Sequence, residues 1–214
     1  MKIAFIAAVL AATLGTAGTA SAISVSNMTA DCASGAGQGT TGLSATFSCY
    51  SDSSRDDLGN IEINLDGTPP TGDDDFFSLG LGGSLVIEFS GAIGTSTSIV
   101  EITNGRSNSS HREAMDVFGS NDGISFTRIG TATNETGDAV GTRGTLTTIV
   151  FAGSYRYLGF RDISASYFNS TDSTDGYDID AISVMPAAVP LPASALLLAA
   201  GLGGFAALRR RKKA

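Results

Sequence analysis

Carboxylates are the main chemistry on offer in this 214-residue chain. All 21 acidic residues fall between Asp31 and Asp180, and two groups are dense: Asp73-Asp74-Asp75, and the set Asp172, Asp175, Asp178 and Asp180. In an extended strand Asp178 and Asp180 would project from one face about 7 Å apart. With loop carbonyls and Asp175 or Asp172 they form a candidate Ca2+ site, because that cation takes six to eight oxygens. A cation would also relieve the mutual repulsion of clustered carboxylates. The chain has neither EF-hand spacing nor a nonapeptide repeat, and acidic loops are commonly just solvated, so both readings stand. Nucleophilic catalysis is poorly supplied. His111 is the only imidazole and no Gly-x-Ser-x-Gly surrounds any serine, so an exposed loop or strand-edge histidine and a non-enzymatic chain are expected. Paired carboxylates for glycoside hydrolysis remain a minor alternative. Tyr155, Tyr157, Tyr167 and Tyr177 offer a sugar-stacking face, although tyrosines in strands more often cap a core, and tryptophan is absent.

The charge is unevenly spread. Six of the 13 basic residues (Lys2, Arg209, Arg210, Arg211, Lys212 and Lys213) sit at the ends, leaving seven against 21 acidic residues in between and no lysine. Such a body gains nothing from counterion release on a phosphate backbone, which excludes nucleic acid as the expected partner.

The ends read as addresses. Lys2, an apolar run from Ile3 to Leu14 and the small residues Ala20-Ser21-Ala22 form a signal peptide over 1–22, the run being too short to span a bilayer. Export into an oxidising compartment makes a disulfide between Cys32 and Cys49, the only two cysteines, the expected pairing. At the other end, residues 189–214 have three parts. Val189-Pro190-Leu191-Pro192-Ala193 is held extended by its prolines. Ser194 to Leu208 is nearly all apolar and would rise only about 22 Å as a helix, marginal against a hydrocarbon core of about 30 Å. Arg209, Arg210, Arg211, Lys212 and Lys213 form a stop signal that stays on the cytoplasmic side, so the body must lie outside. Gly201, Gly203 and Gly204 weaken the apolar segment further. The plain alternative is an ordinary lasting anchor in the inner membrane.

These three parts, in this order, resemble the VPLPA-CTERM form of PEP-CTERM sorting signals. The resemblance implies recognition by an exosortase-type processing enzyme, a transient inner-membrane intermediate, and transfer to the cell surface or an exopolysaccharide matrix.

Residues 23–188, the predicted single domain, lack any helix-period pattern and carry short β-branched and aromatic runs bounded by turn residues, an all-β signature. The predicted strands are Ser44 to Tyr50, Ile61 to Leu65, Ser84 to Phe89, Ser98 to Ile102, Ala114 to Phe118, Ser125 to Ile129, Thr145 to Phe151, Tyr155 to Arg161 and Tyr177 to Val184. Nine strands in one domain imply two packed sheets. Alternation puts Leu85, Ile87 and Phe89 on one face, Met115, Val117 and Phe126 on a core face, and Leu158 and Phe160 inward. Asn121-Asp122-Gly123 reads as a hairpin turn. Ser78 to Leu85, Phe118 to Gly130, Tyr157 to Asp162 and Gly176 to Ile182 resemble the ectodomains of PEP-CTERM proteins, which are similar to galactose-binding-like (discoidin-type) jelly rolls. That resemblance implies a jelly-roll-like β-sandwich with polysaccharide as a candidate partner. Gly94 to Ser98, expected as a loop, lacks the acidic residue usual there, which puts a metal site at that position in doubt. The reading as a whole is an exported surface or matrix protein with a structural or binding role; a Ca2+-assisted carbohydrate-binding ectodomain is the alternative.

Overall fold

A computed structural model describes residues 23–32, 41–43, 55–71, 75–103, 110–169 and 171–188. The signal peptide, the sorting motif with its apolar and basic parts, Cys49, Asp73, Asp74 and the predicted strand Ser44 to Tyr50 lie outside the described residues. Among the described residues the chain is all-β. Ten strands run in order: β1 (Val25–Ala30), β2 (Glu62–Asn64), β3 (Phe77–Ser78), β4 (Ser84–Ile102), β5 (Ala114–Ser120), β6 (Thr127–Thr133), β7 (Asp138–Val140), β8 (Gly144–Val150), β9 (Tyr155–Asp162) and β10 (Asp178–Pro186). The helical content is one 3-10 turn, Leu58–Asn60, and one turn of α-helix, α1 (Ser164–Tyr167). No helix among the described residues is long and apolar enough to cross a membrane.

The β-sandwich is organised by one strand. The predicted strands Ser84 to Phe89 and Ser98 to Ile102 are the two halves of β4, and Gly94 to Ser98 lies inside that strand rather than in a loop. Its first half pairs with β1 and β9, from Leu85 opposite Ala30 and Phe160 to Glu88 opposite Asn27 and Tyr157. Its second half pairs with β10 and β8, Ile99 lying opposite Ile182 and Thr147. One layer is therefore β1-β4-β9-β5-β6 and the other β2-β10-β4-β8-β7, with β3 added to β10. Every pairing is antiparallel except β2 with β10. β4 serves both layers with one dominant side-chain phase: Leu85, Ile87, Phe89, Ile93, Thr97, Ile99 and Glu101 are all odd-numbered and buried, Thr95 being exposed among them, while Val100 and Ile102 are buried on the opposite face of the second half with Phe76 and Ala181. Gly91 and Gly94 sit where the strand bends, each against a close neighbour, Ile23 and the Met185 carbonyl respectively.

Between the layers Leu85, Ile87, Phe89, Ile93 and Ile99 meet Met115, Val117, Leu158, Phe160, Ile179, Ile182 and Val184 in one cluster. The inward placement of Leu158 and Phe160 and of Leu85, Ile87 and Phe89 follows the alternation in the sequence. Phe126 does not. It lies ahead of β6 rather than in a strand, is half-buried, and covers Gly159 on the outward side of the first layer, where that glycine leaves room for its ring. The hairpin turn between β5 and β6 is present, with Gly123 at φ 71° and the Asp122 carboxylate accepting from the amides of Ile124 and Ser125. Strands β1, β3 and β7 were not legible, being short or rich in Ser, Asn and Thr.

The strand directions define two poles. Residues 31–32, 79–83, 103, 110–113, 133–137 and 163–177 gather at one, because β1, β4, β6 and β9 end there and β5 and β10 begin there. The turns at 121–126 and 151–154 and the bend of β4 gather at the other, linked by Asn121 donating to the Ser154 carbonyl and Ile93 pairing with Tyr155. About 23 Å of β9, at roughly 3.3 Å per residue, separates them.

Candidate functional site

The first pole holds a concentration of buried acid. Glu101 arrives from the last turn of the phase that makes β4's core face, and Glu113 stands two residues before Met115 on the core parity of β5. Asp178 opens β10, and Asp175 lies in the loop that leads into it. All four are buried. One carboxylate oxygen from each of Glu113, Asp175 and Asp178 lies within 4.8 Å of the others.

Their surroundings are only partly compensating. Thr103 donates to both oxygens of Glu101, at 2.8 and 3.1 Å. Ser78 donates to Asp178 at 2.5 Å, and Arg55 forms an ion pair with Asp175 while its guanidinium lies 5.1 Å from the centre of the Phe76 ring. Glu113 is held through its backbone: its amide donates to Asn134 Oδ1 at 3.0 Å, and Asn134 donates on to the His111 carbonyl at 2.6 Å. Among the described residues its Oε2 is buried without a hydrogen-bond partner, as is the hydroxyl of Tyr177, which feels the charges of Glu101 and Glu113. Arg55 is the one cation paired within the group among the described residues.

Burial dominates the ionisation. It pushes Glu101 up to about 7, against the smaller downward effect of Thr103 and of the Glu113 and Asn134 side chains. Glu113 is raised well above the ordinary carboxylate range by burial first, then by the charges of Asp178 and Glu101. Asp178 is raised by burial and then by Asp175, with Ser78 and Arg55 opposing. Burial, then Glu101 and Glu113, keeps the Tyr177 phenol neutral. Three acids that resist ionisation, around orphaned oxygens, describe a site short of positive charge.

The donor set fits a hard divalent cation. Ca2+ prefers oxygen in flexible numbers; the three converging carboxylates would hold it, with the Glu113 Oε2 and Tyr177 oxygens as neighbouring donors that have no hydrogen-bond partner among the described residues. Of the residues expected at a Ca2+ site, Asp175 and Asp178 are in this group. Asp180 is fully buried outside it, because the register of β10 on β4 shifts between Ile179 and Ala181 and Asp180 is the residue at the shift. Asp172 is exposed, its amide donating to the Ser110 carbonyl at 3.0 Å. Glu113 and Glu101 were missed by the sequence reading, although their parity with Met115 and Ile99 was available.

Beside this group another buried acid does structural work. Asp162 accepts from the amides of Gly82 at 2.9 Å, Tyr177 at 3.0 Å and Ser164 at 3.3 Å, and from the Ser164 hydroxyl at 2.5 Å. It ties the turn before β4, the approach to β10 and α1 to the end of β9. Gly176, at φ 73°, packs against Gly80 so closely that a Cβ would stand 2.5 Å from the Gly80 carbonyl oxygen. Cys32 is buried next to Asp31 and is disulfide-bonded; Cys49, the other cysteine of the sequence, lies outside the described residues. The Ser110 hydroxyl is 3.1 Å from His111 Nδ1 on the surface of this pole.

The outward face of the first layer carries a second polar group. Asp116 accepts from Arg128 at 2.5 Å and from Thr131 at 2.7 Å, and lies 3.7 Å from Arg161. Arg161 stands over Phe118, Arg156 over Tyr157, and Glu88 accepts from Arg156 and from the Tyr157 hydroxyl. These are satisfied pairs, with rings and guanidinium planes covering one another.

No protein-family model matches this chain, and none of the curated proteins matches it in sequence. Among solved structures it is similar to a pectin-binding carbohydrate-binding module, at 15% identity over 81% of this chain and 96% of that one, with a TM-score of 0.44. It is similar also to the C-terminal domain of a chitobiase from Bacteroides fragilis, at 14% identity over 78% of this chain and 95% of that one, TM-score 0.45. A third is a carbohydrate-binding module bound to GalNAc, at 12% identity over 77% and 99% of the two chains, TM-score 0.41. Likeness at this level carries no argument about ligand or activity.

Proposed function

We propose that this chain is an exported, non-enzymatic β-sandwich, delivered through its C-terminal signal to the cell surface or an exopolysaccharide matrix, whose carboxylate pole is completed by Ca2+. The observation that carries the cation is the convergence of Glu113, Asp175 and Asp178 within 4.8 Å beside the orphaned Glu113 Oε2 and Tyr177 hydroxyl. Bound there, the cation would join β5, β10 and the loop between α1 and β10, and so set the loops of that pole. Carbohydrate is the partner class that the ectodomain resemblance implies, and the export reading rests on residues 1–22 and 189–214.

Two measurements test this. Titration of the purified body with Ca2+ after EDTA treatment should give one saturable site that Glu113→Gln weakens at least tenfold; heat or fluorescence changes that are absent, or that survive this variant unaltered, would remove the cation from the reading. Fractionation of cells with and without the processing enzyme, with the mass of the mature C-terminus, tests delivery: recovery of full-length chain in the cytosol would end it. Glycan binding that disappears with EDTA would favour the Ca2+-assisted carbohydrate-binding role over a purely structural one.

A further inference from the structure

The pole opposite the carboxylates is where the described chain enters and leaves. Ser24 is hydrogen-bonded to Ser90 where the body begins, and where it ends the Ala187 amide donates to the Ala92 carbonyl, two residues along the same bend of β4. Val189 follows Ala187 by two residues and the apolar segment begins at Ser194, seven residues on. Fully extended, those residues span at most about 24 Å. A body fastened so closely to a membrane-seeking segment has little choice of which end lies near the lipid.

The surface of that pole suits the position. Four large apolar residues are mostly exposed among the described residues, and three are here: Ile124 at 84% on the β5–β6 turn, Val150 at 75% at the end of β8, and Met185 at 50% near the end of β10. The fourth, Tyr167 at 52%, is at the other pole. The charges divide in the opposite sense. Glu101, Glu113, Asp162, Asp172, Asp175, Asp178 and Asp180 belong to the far pole, whereas the exit pole has Asp66, which accepts from the Thr68 amide, and Asp122, which caps its own turn. Glu88, nearby, is paired with Arg156 at 2.8 Å. The few acidic groups near the exit pole are thus capped or paired, which an anionic lipid surface tolerates.

Building on the tail reading above, we propose that the exit pole, formed by the 121–125 turn, the end of β8 and the end of β10, rests on the lipid surface while the tail is held there. Ile124, Val150 and Met185 then lie at headgroup depth, where apolar side chains gain from partial burial. The carboxylate pole, about 23 Å away along β9, faces outward, clear of the membrane.

The chain contains no tryptophan, so a single one reports its own surroundings. Full-length Ile124→Trp and, separately, Tyr167→Trp are reconstituted into phosphatidylethanolamine–phosphatidylglycerol vesicles carrying acyl-chain quenchers; both sites are exposed, so neither change disturbs the core. Emission at position 124 is expected to be quenched about twofold or more relative to position 167, the difference between headgroup depth and water. Val150→Trp should behave like Ile124→Trp. Equal quenching at the two poles, or stronger quenching at 167, would overturn the orientation while leaving the tail reading intact. Chain that does not float with the vesicles would overturn the tail reading, and this inference with it.

Discussion

Without its cation, the body should become less stable as pH rises from 5 to 8, the reverse of ordinary acid denaturation. Glu101 illustrates the sign. Its folded value lies near 7 and its unfolded value near 4.5, so between those limits the folded chain binds more protons than the unfolded one. Stability therefore falls as pH increases through that window and levels off once the group is ionised in both states. That difference corresponds to about 3 kcal/mol, and Glu113 and Asp178, raised for the same reason, act in the same direction. For a domain of this size each kcal/mol moves the melting temperature by about 2–4 °C, so EDTA-treated protein should melt about 6–12 °C lower at pH 8 than at pH 5. Saturating Ca2+ should reverse much of this at pH 8, contributing about 2.7 kcal/mol at a hundredfold excess over Kd, and should do less at pH 5, where protons compete for Glu113 and Asp178. Differential scanning calorimetry of the body in EDTA and in Ca2+ at both pH values reads all four cases. A melting temperature that stays level or climbs with pH in EDTA would refute the argument that burial, uncompensated by charge, governs this cluster.

Other substitutions separate the roles of neighbouring acids. Glu113→Gln removes a buried acid that ionises at a cost, so in EDTA at pH 8 the variant should be about 1–2 kcal/mol more stable than the parent by urea denaturation, while losing its response to Ca2+. Asp162→Ala should behave oppositely and cost about 3–5 kcal/mol, because three amides and a hydroxyl lose one shared acceptor; Asp162→Asn should recover part of that, and a neutral result for the alanine variant would show that the three segments do not depend on this carboxylate. Gly83→Ala places a Cβ against the Leu79 carbonyl oxygen in the turn before β4, and expression of a stable, normally melting variant would contradict that close approach.

What the sequence determined by itself was local. The alternation of Leu85, Ile87 and Phe89, or of Leu158 and Phe160, fixes which face is buried because successive side chains in a strand must point to opposite sides; likewise Asn121-Asp122-Gly123 specifies its turn. The same rule reaches Glu101 and Glu113, whose parity with core residues marks them as interior, although a reading that expects acids in solvated loops passes over them. Tertiary structure decided the rest. That two predicted strands are one depends on two sheets sharing β4, and Phe126 turned outward because Gly159 leaves space on a strand distant in sequence. Asp180 fell outside the carboxylate group through a register shift against β4, and Glu113 joined it because β5 begins where β10 begins. Periodicity carries the direction of a side chain, whereas the meeting of side chains some sixty residues apart is set only when strands choose their partners.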